Sequence, residues 1–504
     1  MIIKSGNGND YLVSCSIPQV LLLHPILSHL LELSEGGTDL KEWIETMNVE
    51  GIELGNGIIA TKEEIKYYYN YLSFLEKNHY FKDVKKYNMT GKRYSAQMVE
   101  FYLANTQQIV FEVTDLCNLR CRYCGYGDLY TGYDKRENRT LNIETAKILL
   151  DYMVELFESP LNRKIHKRIA VSFYGGEPLL NMPFIKDMVS YAKTKKLSQK
   201  EFFFSMTTNA IDLEKHMDYL VENDFHLLIS LDGDEKNNGY RVFPNGSPSY
   251  KIVYNNILKL KDKYPDYYEK RVNFNSVLHN KNSNRELNAF FRKHFGKDPL
   301  ISEVNSIGIK PEKKDEFNKI FKRMYKGLQP RDIIEDIKDK DRILKTPFVK
   351  QLSRFIHRYS GFVFKNYDRM LHKKENVLSV TTGTCNPFEK KIFITTNGKI
   401  LPCERISQVY YLGKVDGNGV RLDFNEIADK YNSYYKKMMK RCNRCSNGYS
   451  CMLCIFTLNL NEDNLKCNNF KSEDKFNLNL YQSISLLEET PQYYPRIMRD
   501  YQIN

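Results

Sequence analysis

Residues 114–126, TDLCNLRCRYCGY, place three cysteines within one short loop. Their spacing is Cys117-x3-Cys121-x2-Cys124, which lets a single loop surround one metal centre. A [4Fe–4S] cluster has four irons, and ferredoxin-type sites supply a cysteine to each of them. Three cysteines would therefore leave one iron free to bind a group that is not protein. A structural zinc site, the alternative, takes four ligands and usually arranges them in C-x2-C pairs.

Around this loop, residues 106–310 alternate between strand-like and helix-like segments. Six runs are rich in β-branched or aromatic residues, namely QIVFEV, RIAVSF, EFFFSM, FHLLISL, RVNFNSVL and LISEVNSI, and stretches such as NIETAKILLDYMVELFES separate them. The alternation predicts the α/β class, and six units favour a partial (βα)6 TIM-like barrel. In such barrels chemistry gathers in the loops at the carboxyl ends of the strands. The residues that follow the first four runs are Cys117, Gly175, Asn209 and Asp232.

The composition of the 504-residue chain excludes little. The net charge of +13, from 75 Lys+Arg against 62 Asp+Glu, is spread along the chain, so the charge does not predict nucleic-acid binding. No apolar run approaches the roughly 20 residues of a membrane span. The first residues, MIIKSGNGNDYLVSC, lack the pattern of a signal peptide, so we expect a cytoplasmic protein with no membrane contact. Grouped cysteines in such a chain more often bind metals than form disulfides.

Composition and pattern divide the chain into five segments. Residues 1–105 combine short strands with helices and fit a winged-helix-like domain or another α+β cap. Residues 106–310 are the predicted barrel, and residues 311–380 are a Lys/Arg-rich, helical bridging segment. Residues 381–480 are rich in cysteine and weak in periodicity, which indicates a segment held by metal rather than by its own core. Residues 481–504 form a tail without a clear pattern.

Seven of the 11 cysteines lie in residues 381–480. They are spaced as Cys385-x12-Gly398-x4-Cys403, then Cys442-x2-Cys445-x5-Cys451-x2-Cys454, and finally Cys467 after twelve residues. A zinc ribbon is an alternative, but the five-residue gap is short for one. Cys15 stands apart from all groups and is interpreted as a buried apolar thiol.

The motifs of the barrel resemble those of the radical S-adenosylmethionine (SAM) superfamily. The loop at 114–126 is similar to the cluster loop of that family, and YGGEP at 174–178, TTNA at 207–210 and ISLDG at 229–233 follow in the family's order, with Asp234 where a proline is usual. The resemblance implies that Cys117, Cys121 and Cys124 hold a [4Fe–4S] cluster whose open iron binds SAM. The residues implied to contact SAM are Tyr123, Gly175, Gly176, Glu177, Pro178, Thr208, Asn209, Ser230, Asp232 and Arg241.

The chemistry implied by this resemblance is radical chemistry. An electron from a reductant such as flavodoxin or ferredoxin cleaves SAM to methionine and a 5′-deoxyadenosyl radical, which abstracts hydrogen from the substrate. Glu177 would complement the amino group of SAM, and Arg241 would pair with its carboxylate. Glu303, at the end of the sixth predicted strand, is a candidate acid or base for the substrate, and a solvated strand end is the alternative.

The seven later cysteines resemble the SPASM extension of radical SAM enzymes, which carries two auxiliary [4Fe–4S] clusters. LGKV at 412–415 also matches that domain, whereas two residues precede Cys454 here and the family has three. The resemblance assigns one set of ligands to each cluster. The first set is Cys385, Cys403 and Cys454, and the second set is Cys442, Cys445, Cys451 and Cys467. The first cluster would lack one protein ligand, so either an open iron that binds substrate, or a non-cysteine ligand or water, completes it.

SPASM enzymes mostly modify peptides or proteins, and residues 1–105 resemble the winged-helix leader-recognition element of ribosomal-peptide maturases. Such elements bind a leader by strand addition. We therefore expect a peptide maturase that installs an intramolecular cross-link, thioether or carbon–carbon, in a precursor peptide with a leader. The alternatives are a sulfatase-maturating enzyme that forms formylglycine, and a non-catalytic iron–sulfur binding or electron-transfer protein.

Overall fold

The computed structural model describes most of the chain. The described residues are 1–14, 19–54, 57–81, 94–163, 167–198, 200–322, 352–353, 355–356, 359, 386–445, 451, 453–458, 460, 465, 467, 470–492, 494–495 and 497. Cys15, Cys385 and most of the predicted bridging segment lie outside the described residues. None of the helices in the described part of the chain has the length and apolar character that a membrane span requires.

The first described part of the chain contains a three-stranded antiparallel sheet, a β-hairpin and four helices, of which the fourth packs in the core of the barrel. In chain order its elements are β1 (Ile2–Lys4), β2 (Asp10–Ser14), β3 (Gln19–Leu22), α1 (Pro25–Glu35), α2 (Leu40–Thr46), β4 (Gly51–Leu54), β5 (Ile58–Thr61), α3 (Lys62–Lys77) and α4 (Ala96–Ala104). The sheet order is β1-β2-β3, and β4 pairs with β5. Helix α3 begins at a capping box formed by Thr61 and Glu64. Leu12, Ile65 and Leu72 belong to the apolar core between this sheet and its helices.

Six parallel strands form the centre of the molecule. The elements are β6 (Gln108–Thr114), α5 (Ile143–Glu158), β7 (Arg168–Gly175), α6 (Met182–Thr194), β8 (Glu201–Thr208), α7 (Leu213–Glu222), β9 (His226–Ser230), α8 (Tyr250–Lys263), α9 (Pro265–Arg271), β10 (Val272–Leu278), α10 (Asn284–Phe295), β11 (Leu300–Glu303) and α11 (Lys314–Ile320). The strands pair in chain order from β6 to β11, each parallel to the next. The predicted α/β fold with a partial TIM-like barrel is confirmed.

The cysteine-rich segment continues the barrel sheet, which its sequence did not reveal. Its elements are β12 (Ile392–Ile394), β13 (Lys399–Leu401), β14 (Gly413–Asp416), β15 (Gly419–Arg421), α12 (Phe424–Cys442) and α13 (Glu473–Glu489). Strand β12 pairs in parallel with β6, and β13 to β15 follow as antiparallel neighbours, so the sheet has ten strands. Phe393 and Ile394 are buried in the same core as the barrel strands. The described part of this segment therefore shares the apolar core of the barrel.

Helix α13 packs against the first sheet. The backbone N–H of Gly6 donates to Ser485 Oγ at 2.8 Å, and the Tyr11 hydroxyl donates to Glu488 Oε1 at 2.6 Å. Burial and the neighbouring Glu488 raise the pKa of Tyr11. Apolar contacts complete the interface between strands β1 and β2 and the helix, and the residues in them include Ile3, Val13, Phe476, Leu480 and Ile484. The predicted boundary at residue 481 thus falls inside α13, the helix that packs against the first sheet.

Candidate active site

The loop that carries Cys117, Cys121 and Cys124 follows strand β6 at the carboxyl edge of the barrel. Turns shape the loop, because the Cys124 N–H donates to the Cys121 carbonyl at 3.0 Å and the Gly127 N–H to the Cys124 carbonyl at 2.8 Å. All three cysteines are free and half-buried. Burial raises the pKa of Cys117 to about 11 and that of Cys121 to about 12. Without a bound cation Cys117 and Cys121 are therefore thiols at neutral pH, so loading a metal centre would release their protons.

Two glycines bring the end of β7 against the start of this loop. A Cβ on Gly175, whose φ is +142°, would lie 2.2 Å from the Thr114 carbonyl oxygen, and one on Gly176 would lie 2.0 Å from that of Leu116. The N–H groups of Gly176 and Glu177 donate to these same two carbonyls at 2.8 Å. Glycine is therefore required at both positions because a side chain would clash with the backbone just before Cys117. Their approach to a ligand, implied by the family resemblance, stays a prediction.

The Glu177 carboxylate joins β7 to the end of β8. It accepts hydrogen bonds from Thr208 Oγ1 at 2.6 Å, from the Asn209 N–H at 2.7 Å and from the Leu179 N–H at 3.2 Å. The side chain is buried, and this burial raises the pKa of Glu177 to about 7. Pro178 begins the short 3-10 helix that follows. Both oxygens of Glu177 thus have donors from the protein, and its predicted contact with the amino group of SAM stays a prediction.

Asn209 connects the end of β8 to the cysteine loop. Its Nδ2 donates to Asn118 Oδ1 at 2.7 Å and approaches Cys117 Sγ at 3.8 Å. Sequence reasoning did not single out Asn118. The next strand contributes Ser230, the last residue of β9, which is buried and pairs with Asn275 of β10. The structure therefore gathers the predicted residues of three successive strands at one edge of the sheet.

Asp232 is the centre of a buried polar network beside Cys121. Its carboxylate accepts from Arg241 Nη2 at 3.0 Å, from the Val277 N–H at 2.9 Å and from the Tyr123 hydroxyl. Burial by itself would raise the pKa of Asp232, but the charge of Arg241 and these hydrogen bonds lower it to about 2. His279 Nε2 lies 3.7 Å from the carboxylate, a neighbour that the sequence did not indicate. Tyr123 and Arg241, which are both predicted to contact SAM, thus donate hydrogen bonds to the same carboxylate.

The arrangement fits the cluster and cofactor that the sequence predicts. Three thiols lie on one loop, one fewer than the irons of a [4Fe–4S] cluster. The Nε atom of Arg241 is buried and has no hydrogen-bond partner among the residues that the structure describes. A buried guanidinium nitrogen without an acceptor is costly, and a carboxylate is the ligand that a guanidinium pairs with best. Within the same described residues, no three Cys, His, Asp or Glu side chains converge on a single-ion site.

Six of the seven later cysteines lie in the described residues. The charges that raise the pKa of Cys442, besides its burial, belong to Cys451, Cys467 and Cys445, so these four predicted ligands of one cluster are neighbours. Cys403 lies elsewhere, after β13, where its thiol contacts Glu404 Oε2 at 3.5 Å. Lys391 pairs with this carboxylate at 3.0 Å. The predicted grouping of Cys403 with Cys385 and Cys454 cannot be followed, since Cys385 lies outside the described residues.

Two residues outside the predicted motifs complete the description. Arg136 Nη2 donates to Cys124 Sγ at 3.6 Å, although Arg136 sits in the unpatterned polar stretch DKRENR. Glu303 is the last residue of β11 and is exposed. Exposure fits the solvated strand end that the sequence left as an alternative, and the acid–base role of Glu303 stays a prediction.

The sequence model of the Radical SAM superfamily matches residues 111–293, the range that holds the cysteine loop and the network around Asp232. Residues 111–293 are thus a radical SAM domain. The chain is similar to a cysteine-type anaerobic sulfatase-maturating enzyme of Clostridium novyi, with 24% identity over 71% of this chain and 91% of that relative. It is also similar to the radical SAM cyclopropyl synthase TigE of Paramaledivibacter caminithermalis, with 22% identity over 68% of this chain and 66% of that relative.

A solved structure gives a further match to the chain. Native anSMEcpe with bound AdoMet and Kp18Cys peptide has 17% sequence identity to it and a TM-score of 0.49, over 77% of this chain and 98% of that chain. In sequence the chain is related to a sulfatase-maturating enzyme and to a radical SAM cyclopropyl synthase.

Proposed function

We propose that this enzyme modifies a ribosomally made precursor peptide that carries a leader, and that it forms an intramolecular thioether or carbon–carbon cross-link. The observation that carries the proposal is an edge of the first sheet at which no strand of the described residues pairs. Strand β3 is the outer strand of the order β1-β2-β3, whereas β1, at the other edge, packs against α13. An exposed strand edge is a template for an added strand.

The edge of β3 offers both backbone and apolar contacts. Its register with β2 leaves the N–H and C=O groups of Val20 and Leu22 pointing outward. Leu22 is 62% exposed, so an added strand also meets an apolar side chain. These features support an extended leader peptide bound along β3.

The chemistry would take place at the carboxyl edge of the barrel. Cys117, Cys121 and Cys124 would hold a [4Fe–4S] cluster that binds SAM, and together these groups supply a 5′-deoxyadenosyl radical for hydrogen abstraction. The chain's own residues prepare the site. Glu177 fixes the ends of β7 and β8, and Asp232 orients the Arg241 guanidinium toward a carboxylate. A second and a third cluster, bound by the later cysteines, are part of the proposal.

A sulfatase-maturating activity is the second candidate. The observation in its favour is the relative from Clostridium novyi, whose length is matched over 91%. The two candidates differ in their use of the N-terminal unit, because a free Cys or Ser side chain is the target of formylglycine formation and needs no leader. The match covers 71% of this chain, so part of the chain has no counterpart in that relative.

The test is an anaerobic incubation with SAM, a reductant and a peptide. The peptides compared are a leader-bearing peptide encoded near the gene and a Cys or Ser peptide from a sulfatase. A cross-link appears as loss of two hydrogen atoms without reaction toward a hydrazide, whereas formylglycine reacts with the hydrazide. The proposal requires 5′-deoxyadenosine together with the first product. If no peptide yields 5′-deoxyadenosine above the level without enzyme, the proposed function is wrong.

The role of β3 is tested by replacing Val20 with proline. Proline removes the outward N–H of Val20 but not the hydrogen bonds to β2, because the paired positions are Leu21 and Gln19. We expect about tenfold weaker binding of the leader peptide, equivalent to about 1.4 kcal/mol for the lost strand contacts. Val20→Ala is the matched control, since it shortens the side chain and keeps the N–H. Equal affinities of the two variants in a fluorescence-anisotropy titration would place the leader elsewhere.

A further inference from the structure

Arg136 is the one cationic side chain of the described residues with a hydrogen bond to a thiol of the three-cysteine loop. Its Nη2 lies 3.6 Å from Cys124 Sγ. The other donors to this set are neutral, namely the Leu119 N–H and Asn209 Nδ2, both to Cys117. Cys124 is therefore the only thiol of the three, within the described chain, that has a charged donor.

The guanidinium of Arg136 is held in place by its surroundings. Its Cζ lies 4.6 Å from the centroid of the Tyr126 ring, which is a cation–π contact on the same loop. Its Nε is buried and has no hydrogen-bond partner within the described residues. The side chain thus lies half-buried beside Cys124, with a buried Nε that water would solvate better.

Among the described residues Arg136 forms no ion pair. The acidic side chain whose charge acts on Arg136 is Glu112 of β6, which is 1% exposed and accepts a hydrogen bond from the Thr396 N–H at 2.9 Å. Burial raises the pKa of Glu112, so its negative charge is itself disfavoured. The positive charge of Arg136 therefore acts mainly on the cysteine loop.

We propose that Arg136 is a positioning residue that orients Cys124 and raises the reduction potential of the cluster bound by the loop. The proposal rests on the proposed function, because it requires that cluster. Reduction adds one negative charge to the cluster, and a nearby cation and an N–H to a cluster sulfur both stabilise the reduced form. Removing the charge should therefore make the cluster harder to reduce.

The test is a redox titration of the full-length, cluster-loaded enzyme, followed by electron paramagnetic resonance with and without SAM. The signal that changes on adding SAM belongs to the cluster of the three-cysteine loop. For Arg136→Gln we expect the ratio of reduced to oxidised cluster, at a fixed potential, to fall about tenfold, which is a downward shift of about 59 mV for one electron. Arg136→Lys keeps the charge and should retain most of the wild-type potential.

Arg120→Gln is the matched control. Arg120 lies on the same loop, but its guanidinium donates to the carbonyls of Cys117 and Leu119 and not to a sulfur. We expect this variant to keep the wild-type potential. An unchanged potential in Arg136→Gln, or an equal shift in Arg120→Gln, would overturn the proposal.

Two further outcomes are separated by the design. If Arg136→Gln does not load its cluster, the titration is done with Tyr126→Leu instead. That substitution removes the ring that contacts the Arg136 guanidinium. That variant is expected to lower the potential by a smaller amount, and an unchanged value would count against the proposal. If the wild-type enzyme shows no signal that responds to SAM, the proposed function itself fails, and the role of Arg136 fails with it.

Discussion

Replacement of Cys124 by alanine is expected to reduce SAM cleavage to the level without enzyme. Two remaining thiols, Cys117 and Cys121, cannot hold a cluster that takes three cysteines from this loop. A loss of about 10⁶-fold or more follows if the rate enhancement lies in the ordinary range of enzymes. The measurement is the formation of 5′-deoxyadenosine under anaerobic conditions, followed by chromatography.

Cys15→Ala is the control for this experiment. Cys15 lies outside all three groups of cysteines, so its removal is expected to leave both the iron content and the 5′-deoxyadenosine yield unchanged. Iron and sulfide analysis of both variants shows whether the loss follows the cluster. An undiminished yield from Cys124→Ala would mean that the three-cysteine loop does not bind the catalytic cluster.

Replacement of Gly176 by alanine is the second change with a large expected effect. The new Cβ would lie 2.0 Å from the carbonyl oxygen and 2.5 Å from the carbonyl carbon of Leu116. These are backbone atoms, which cannot rotate away as the end of a side chain can, so β7 or the cysteine loop must shift. Overpacking of this kind costs about 1–3 kcal/mol of stability. The shift would also displace Cys117, the next residue along the loop.

Gly417→Ala is the matched substitution for Gly176→Ala. A Cβ on Gly417 meets no atom within 4 Å, so the same chemical change occurs in open space. We expect the midpoint of thermal unfolding and the affinity for SAM to fall in Gly176→Ala and to stay at wild-type values in Gly417→Ala. Two variants that behave alike would show that the close approach of β7 to the loop has no consequence.

The barrel could be predicted because its strands are long enough to carry a pattern. Strands β7 and β8 have eight residues each, and the segment between them has the apolar periodicity of a helix. Strands β12 and β13 have three residues each, which is shorter than the four to eight residues over which alternation can be recognised. The pairing of β12 with β6 also depends on contacts between residues almost 300 positions apart. The extension of the sheet was therefore not predicted.

The positions of the site residues could be predicted, but their partners could not. The motifs indicate which loops meet at the edge of the barrel, since each follows a strand. They do not say that the carboxylate of Glu177 binds Thr208, or that Gly176 faces the backbone of Leu116, because both contacts depend on how neighbouring strands are aligned. Nothing in the sequence indicated that Arg136 contacts Cys124, since it belongs to a polar stretch that is typical of a solvated loop.

The contact between α13 and the first sheet has a consequence for the synthesis of the protein. The hydrogen bond from Gly6 to Ser485 joins residues 479 positions apart. At about 5–20 residues per second, a ribosome takes roughly 25–95 s to make the chain between them. Throughout that interval Ile3 and Val13 lack the helix that covers them in the finished molecule. The first sheet therefore emerges early but completes its packing late, and chaperones and proteases meet it in that interval with one apolar face open.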